Sequence, residues 1–222
     1  MTYPVCEEQP NRPEQPLWIY QQLGEQFVRK QQFMEARSLY QQAIQQYPDN
    51  PEADRALGIV QEKLGDIAGE IASYQQAIAL NPEQPIWVYT TLAHLLCREG
   101  RYTEAIDYYQ SLLDRAADRA NFELYRRFGE ALTQVGRWED AIAAYERASI
   151  LQPDRLWINY RIDALRFHWG MALLKQQQIE AASEQFDLID RVQAWDGMLL
   201  PWFGEGEARW PYTMPAWITA LA

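Results

Sequence analysis

The chain has 222 residues, of which 48% are apolar, 23% charged and 13% aromatic, with nine tryptophans. That balance belongs to a folded globular chain and excludes a disordered, collagenous or disulfide-scaffold protein. Thirty-one acidic residues against 20 basic ones give a formal charge of −11, which repels phosphate backbones and argues against a nucleic-acid partner.

Residues 1–16 carry Pro4, Pro10, Pro13 and Pro16 among Glu and Gln, and read as an extended arm. Their start has neither a basic run nor an apolar core, so it does not resemble a signal peptide. No later stretch approaches the roughly 20 apolar residues of a membrane helix, and the cytoplasm is the expected compartment. Cys6 and Cys97 match no metal or redox spacing and are expected to be thiols.

From Leu17 onward the chain repeats itself. Pro48 and Pro82 are 34 positions apart. Ahead of Pro48 stand Leu23-Gly24, Ala36, Tyr40 and Ala43; ahead of Pro82 stand Leu57-Gly58, Tyr74 and Ala77; ahead of Pro153 stand Phe128-Gly129, Ala141, Tyr145 and Ala148. A third, intervening copy has Leu92-Ala93, Gly100, Ala105 and Tyr109, with Ala117 in place of the closing proline. A fifth, degenerate copy has Trp169-Gly170, Ala182 and Phe186. The units run 17–50, 51–84, 86–119, 122–155 and 163–190 within a segment 17–194. Each is expected to be two helices joined by a tight turn, with a small residue on each helix where the axes approach and the aromatic filling the space between neighbours. Gly65, Gly100 and Gly136 fall at the inner turn, where a helix end favours a left-handed residue. Units one and five have Gln31 and Gln177 there, so less sharply set turns are expected. Glu70 stands where the other units have alanine, which predicts looser or shifted packing in unit two.

Residues 156–162, Leu-Trp-Ile-Asn-Tyr-Arg-Ile, contain no Gly or Pro and read as two extra turns on the front of the fifth unit's first helix. Residues 195–222 hold Trp195, Trp202, Trp210 and Trp217 among Gly and Pro. They are neither a repeat nor a disordered composition, and are expected to cap the last unit, to lie along the array, or to begin a further segment.

The 34-residue period with Leu-Gly, Ala, an aromatic and Pro resembles the tetratricopeptide repeat over about three quarters of the chain. The resemblance implies an all-α, right-handed solenoid of antiparallel helix pairs, here with an aromatic, Gly/Pro-rich C-terminal appendage. It also implies that the first helix of each unit lines a concave groove that binds protein segments.

Chemistry-bearing motifs are sparse. No second His or carboxylate stands four residues after His94 or His168 to make a metal-binding face. Gly204-Glu-Gly206-Glu lacks the strand and lysine of a phosphate loop, and no nucleophile elbow occurs. The chain is therefore read as non-catalytic and as using no metal or other cofactor.

Charge is distributed unevenly. The charges of the first helices nearly cancel, whereas the second helices carry the acidic excess, with Asp66, Glu70, Asp107, Glu180, Glu184 and Asp187 among them. Groove positions include Arg55, Ile59, Trp87, Thr90, His94, Arg98, Arg126, Arg127, Phe167 and Met171, in which Trp and Met beside Arg make a binding-site composition. The expected partner is a protein segment of acidic or mixed acidic and apolar character, with self-association as a further possibility. The family's carboxylate clamp for chaperone tails is absent, since Gln21, Glu25, Ala56, Trp87 and Thr91 occupy its positions. The chain is read as a scaffold or assembly factor; the alternative is a regulatory or substrate-recruiting part of a longer enzyme, such as a glycosyltransferase.

Overall fold

In a computed structural model of the protein, residues 16–116 and 120–189 are described. The N-terminal arm up to residue 15, residues 117–119 and the segment from 190 onward, including all four C-terminal tryptophans and Cys6, lie outside them. The described residues form helices joined by short turns, as the repeat pattern requires.

The chain divides into two compact units, Met1–Arg115 and Ala116–Ala222. The first carries α1 (Leu17–Arg29), α2 (Phe33–Gln46), α3 (Pro51–Leu64), α4 (Ile67–Leu80), α5 (Ile86–Arg98) and α6 (Tyr102–Ala116). The second carries α7 (Phe122–Gln134), α8 (Trp138–Leu151), α9 (Trp157–Lys175) and α10 (Ile179–Asp187). Residues 157–162 are the opening turns of α9, which has 19 residues against 13 in α1, α5 and α7.

The helix ends follow local chemistry. Side-chain oxygens of Asn50, Asp66 and Asn121 accept from the backbone N–H of Glu52, Gly69 and Leu124, satisfying donors the first turn leaves open. α2, α4 and α8 stop two residues before Pro48, Pro82 and Pro153, because the residue ahead of a proline is driven out of helical geometry. α6 has no such proline and runs to Ala116.

In four of the pairs the two helices approach closely at a glycine. A Cβ added to Gly24 would lie 2.3 Å from the Tyr40 ring, at Gly58 2.6 Å from Tyr74, at Gly129 3.0 Å from Tyr145 and at Gly170 2.6 Å from Phe186. The aromatic of the second helix therefore occupies the volume a side chain on the first would need. Ala36, Ala105, Ala141 and Ala182 are all fully buried.

Two sequence expectations are corrected. The turns of the first and fifth pairs are not looser. Gln31 and Gln177 adopt φ of 59° and 61°, beside 71° for Gly65 and 74° for Gly100 and Gly136. All five turns close with the same two backbone hydrogen bonds. Gln31 N–H donates to Val28 and Gln32 N–H to Phe27, matched by Gly65 to Glu62 and Asp66 to Gln61, and so on through Gln177 and Gln178. Helix packing dictates the left-handed residue, and a non-glycine side chain there costs about 1–2 kcal/mol.

The second correction concerns Glu70, which does not loosen its pair. The Gly58–Tyr74 approach is closer than Gly129–Tyr145, and Glu70 is only 3% exposed. Room is made by Gly69, whose missing Cβ would lie 2.5 Å from the Gln61 amide.

Candidate protein-interaction faces

In the first compact unit the expected binding residues fall on α3 and α5. Arg55 is half-buried and lies 3.8 Å from Glu52, to which Gln21 of α1 also donates a hydrogen bond at 2.7 Å. This joins α1 to α3 through polar side chains. Ile59 follows Arg55 one turn later on the same face and is half-buried. Trp87, on the first turn of α5, is 42% exposed, and its ring meets Tyr74 edge-on with centroids 5.9 Å apart. The indole is thus held against Tyr74 and remains partly open. Thr90 Oγ1 donates back to the Trp87 carbonyl at 3.0 Å, and His94 is half-buried one turn further along. Arg98 is exposed at the end of α5.

Behind this face lies a polar interior. Burial, and then the neighbouring Glu62, push the Glu70 carboxyl up to about 7, while the Arg98 and Lys63 charges pull it back. Asp54 is buried, its Oδ2 has no hydrogen-bond partner among the described residues, and burial raises its carboxyl to about 6. With its amide turned to suit its neighbours, Gln61 places the nitrogen 2.7 Å from Ser73 Oγ and 3.1 Å from the Gly69 carbonyl. The equivalent positions show what is unusual: Tyr20 and Tyr89 correspond to Asp54, Phe27 and Leu96 to Gln61, and Ala36 and Ala105 to Glu70. Reading the repeat column by column would have revealed the Asp54 and Gln61 departures, since the signal is in the alignment of the units.

A second feature that motif reading missed is Arg115. Its guanidinium donates to the Tyr89 hydroxyl at 2.6 Å and to the Pro82 carbonyl, pairs with Glu83 at 3.0 Å, and lies 5.1 Å from the Tyr89 ring centre. It ties the α4–α5 loop to the end of α6.

In the second compact unit, Arg126 and Arg127 are engaged by their own helix. Arg126 donates from Nε and Nη2 to Glu123 at 2.7 and 2.6 Å and from Nη1 to Glu130, while Arg127 Nε donates to Glu123 at 2.6 Å. The Arg126 hydrogen bond, followed by that from Arg127, holds the Glu123 carboxyl down at about 2. This network of two arginines and two glutamates is locally neutral. Phe167 and Met171 pack partly buried against the cluster of Leu173, Ala182, Phe186 and Ile189, with the Phe167 and Phe186 rings 5.6 Å apart. Among the described residues there is no group of three His, Cys, Asp or Glu side chains that could hold a metal, and no helix long and apolar enough to cross a membrane.

Tetratricopeptide-repeat family models match residues 22–85 and 85–151, together more than half of the chain. The TPR repeat-containing protein YpiA of Bacillus subtilis is 25% identical over 138 residues, which is 62% of this chain and 30% of YpiA. The chain spans less than a third of the length of the curated relatives it matches. Among solved structures, MamA residues 41–end from Desulfovibrio magneticus RS-1 superposes with a TM-score of 0.53 at 19% identity, covering 78% of this chain and 92% of that one. YrrB, described as a TPR protein with an unusual peptide-binding site, gives 0.54 at 16% identity, covering 81% and 87%. These likenesses establish a shared helical-repeat fold.

Proposed function

The chain belongs to the tetratricopeptide repeat family, a protein-interaction fold, and on that premise we propose that it is a non-catalytic scaffold or assembly factor. Its binding face is formed in the first compact unit by Arg55, Ile59, Trp87, Thr90, His94 and Arg98. The partner is a protein segment that mixes carboxylates with apolar side chains.

One observation carries this reading. An anchored but open indole, Trp87, stands on the same helix as the exposed Arg98 in a chain whose net charge is −11. Partly exposed Trp and Arg are the side chains that most often dominate protein interfaces. The peptide-binding description of YrrB, which has the same fold, supports a peptide ligand. Arg126, Arg127, Phe167 and Met171 form a secondary face of the second unit. There the arginine charges are already met by Glu123 and Glu130, so attraction for an acidic segment is weaker. The cytoplasm, where a thiol such as Cys97 stays reduced, is the proposed compartment.

The test begins with affinity capture of a partner by the full chain. Arg55→Glu with Arg98→Glu weakens that partner's binding by more than tenfold, about 1.4 kcal/mol, with the helical circular dichroism retained. Arg127→Gln changes it less than threefold. Equal affinity of the double variant and the native chain contradicts the assigned face.

A further inference from the structure

Four of the seven exposed large apolar side chains described in the second compact unit lie at one edge. Ile150 is 71% exposed, Leu151 47%, Leu156 58% and Trp157 43%, all within the end of α8, the loop after it and the first turn of α9. Nothing in the repeat requires this. Ile150 stands five residues after Tyr145, and the residues five after Tyr40, Tyr74 and Tyr109 are Gln45, Ala79 and Asp114. Leu156 and Trp157 belong to the stretch that has no counterpart in the other units. The Trp157 ring meets Phe122 edge-on with centroids 5.9 Å apart and stays 43% exposed.

The described chain comes to its end beside this edge. α10 runs antiparallel to α9, since Phe186 meets Gly170 and the Leu188 carbonyl accepts from Arg166 Nη1 at 3.0 Å. Arg166 Nη2 donates to Glu146 of α8 at 2.9 Å, so the exit of α10 lies against α8 at residue 146. Ile150 is one turn, about 6 Å, further along the same exposed face of α8. Ser149 Oγ donates to Asn159 at 2.9 Å, which fixes α8 against the front of α9 at the same edge. The nine residues of α9 ahead of Arg166 extend about 13 Å past the end of α10.

We infer that residues 190–222 of this chain are the occupant of the Ile150–Leu151–Leu156–Trp157 edge. Trp195 is six residues beyond Ile189 and can span roughly 20 Å, which covers both the Arg166 bridge from Leu188 to Glu146 and the further turn of α8 to Ile150. The segment brings four tryptophans, and an apolar surface of four large side chains lies within its reach. An intrachain contact of this kind is favoured over a second copy by the short tether, which holds the segment at millimolar effective concentration.

The experiment is amide hydrogen exchange on the full chain. In the native protein, amides of residues 195–222 exchange more than tenfold slower than in a synthetic peptide of that sequence. Ile150→Asp with Leu156→Asp removes that protection while α7 and α8 keep theirs. Leu156→Asp alone, which leaves α8 untouched, weakens it in the same direction. Ile179→Asp, at the opposite end of α10, does not change it. Peptide-like exchange in the native chain, or protection that survives the double substitution, overturns the inference. Protection that fades on dilution assigns the edge to a second copy and overturns it equally.

Discussion

Around the Gly129–Tyr145 contact of α7–α8 stand Leu132 and Ala141, both fully buried; around the Gly58–Tyr74 contact of α3–α4 the same positions hold Gln61 and Glu70. The two pairs share the same left-handed inner turn and the same pair of closing hydrogen bonds. Their interiors differ in chemistry. The comparison teaches that the small-residue–aromatic approach sets the pair's geometry, while the flanking positions set how firmly it is held and how it responds to protons. An apolar interior is stabilised by area removed from water, about 25 cal/mol per Å². A polar interior returns much of that gain as desolvation unless every group is paired, and Asp54 Oδ2 has no partner among the described residues.

The largest expected contrast is at the position shared by Leu132 and Gln61. Leu132→Ala lowers the opening free energy of α7–α8, read by native-state amide exchange, by about 2–5 kcal/mol. Gln61→Ala lowers that of α3–α4 by about 1–3 kcal/mol, because Ser73 and the Gly69 carbonyl lose a buried partner. Equal losses would mean that the two interiors are equivalent.

Next is the charge at Glu70. Its folded carboxyl titrates at about 7, above the ordinary 4.5, so between those values the folded state holds a proton the unfolded chain has released. Stability is therefore lost as pH rises through that window. Glu70→Gln raises the opening free energy of α3–α4 by about 1–3 kcal/mol at pH 8 and leaves it nearly unchanged at pH 4.5. A gain of the same size at both values would show that charge is not the cause.

A smaller effect separates the two glycines. Gly58→Ala forces the buried Tyr74 ring to shift and costs about 1–3 kcal/mol. At Gly129 the Cβ falls 3.0 Å from Tyr145, and the gain of about 0.8–1 kcal/mol in helix propensity offsets the crowding. Thermal unfolding of the two variants checks this, and the reverse order would contradict the packing argument.

The smallest is the surface network of α7. The Glu123 carboxyl, held down at about 2, contributes stability above pH 4.5 that fades as pH falls through 2. The group is about half exposed, so Glu123→Gln costs at most about 1 kcal/mol at pH 7. Acid titration of unfolding then shows α7 with the opposite pH slope to Glu70, in a lower window.

Much of the fold was legible because the repeat states its contacts several times. Leu-Gly on one helix and Ala-x3-Tyr on the next encode the close approach, and Gly65, Gly100 and Gly136 encode the turn. Gln31 and Gln177 were misread because residue preference is a local signal and the turn is imposed by packing on both sides. Glu70 was misread because its accommodation depends on Gly69, a neighbour outside the repeated positions. The binding face was legible as residue types only. Sequence places Arg126 and Arg127 on a helix face, but their capture by Glu123 and Glu130 depends on side-chain geometry, as does the half-open setting of Trp87 on Tyr74.

The most direct measurement is native-state amide exchange of the full chain at pH 5 and pH 8, corrected for intrinsic rates and read helix by helix. Glu70 and Asp54, raised to about 7 and about 6, are predicted to lower the opening free energy of α3–α4 by about 2–4 kcal/mol between those values. α7–α8, whose interior holds no such carboxylates, is predicted to change by less than about 0.5 kcal/mol. A parallel loss in both pairs, or none in either, would contradict the claim that one shared frame carries two interiors of different chemistry.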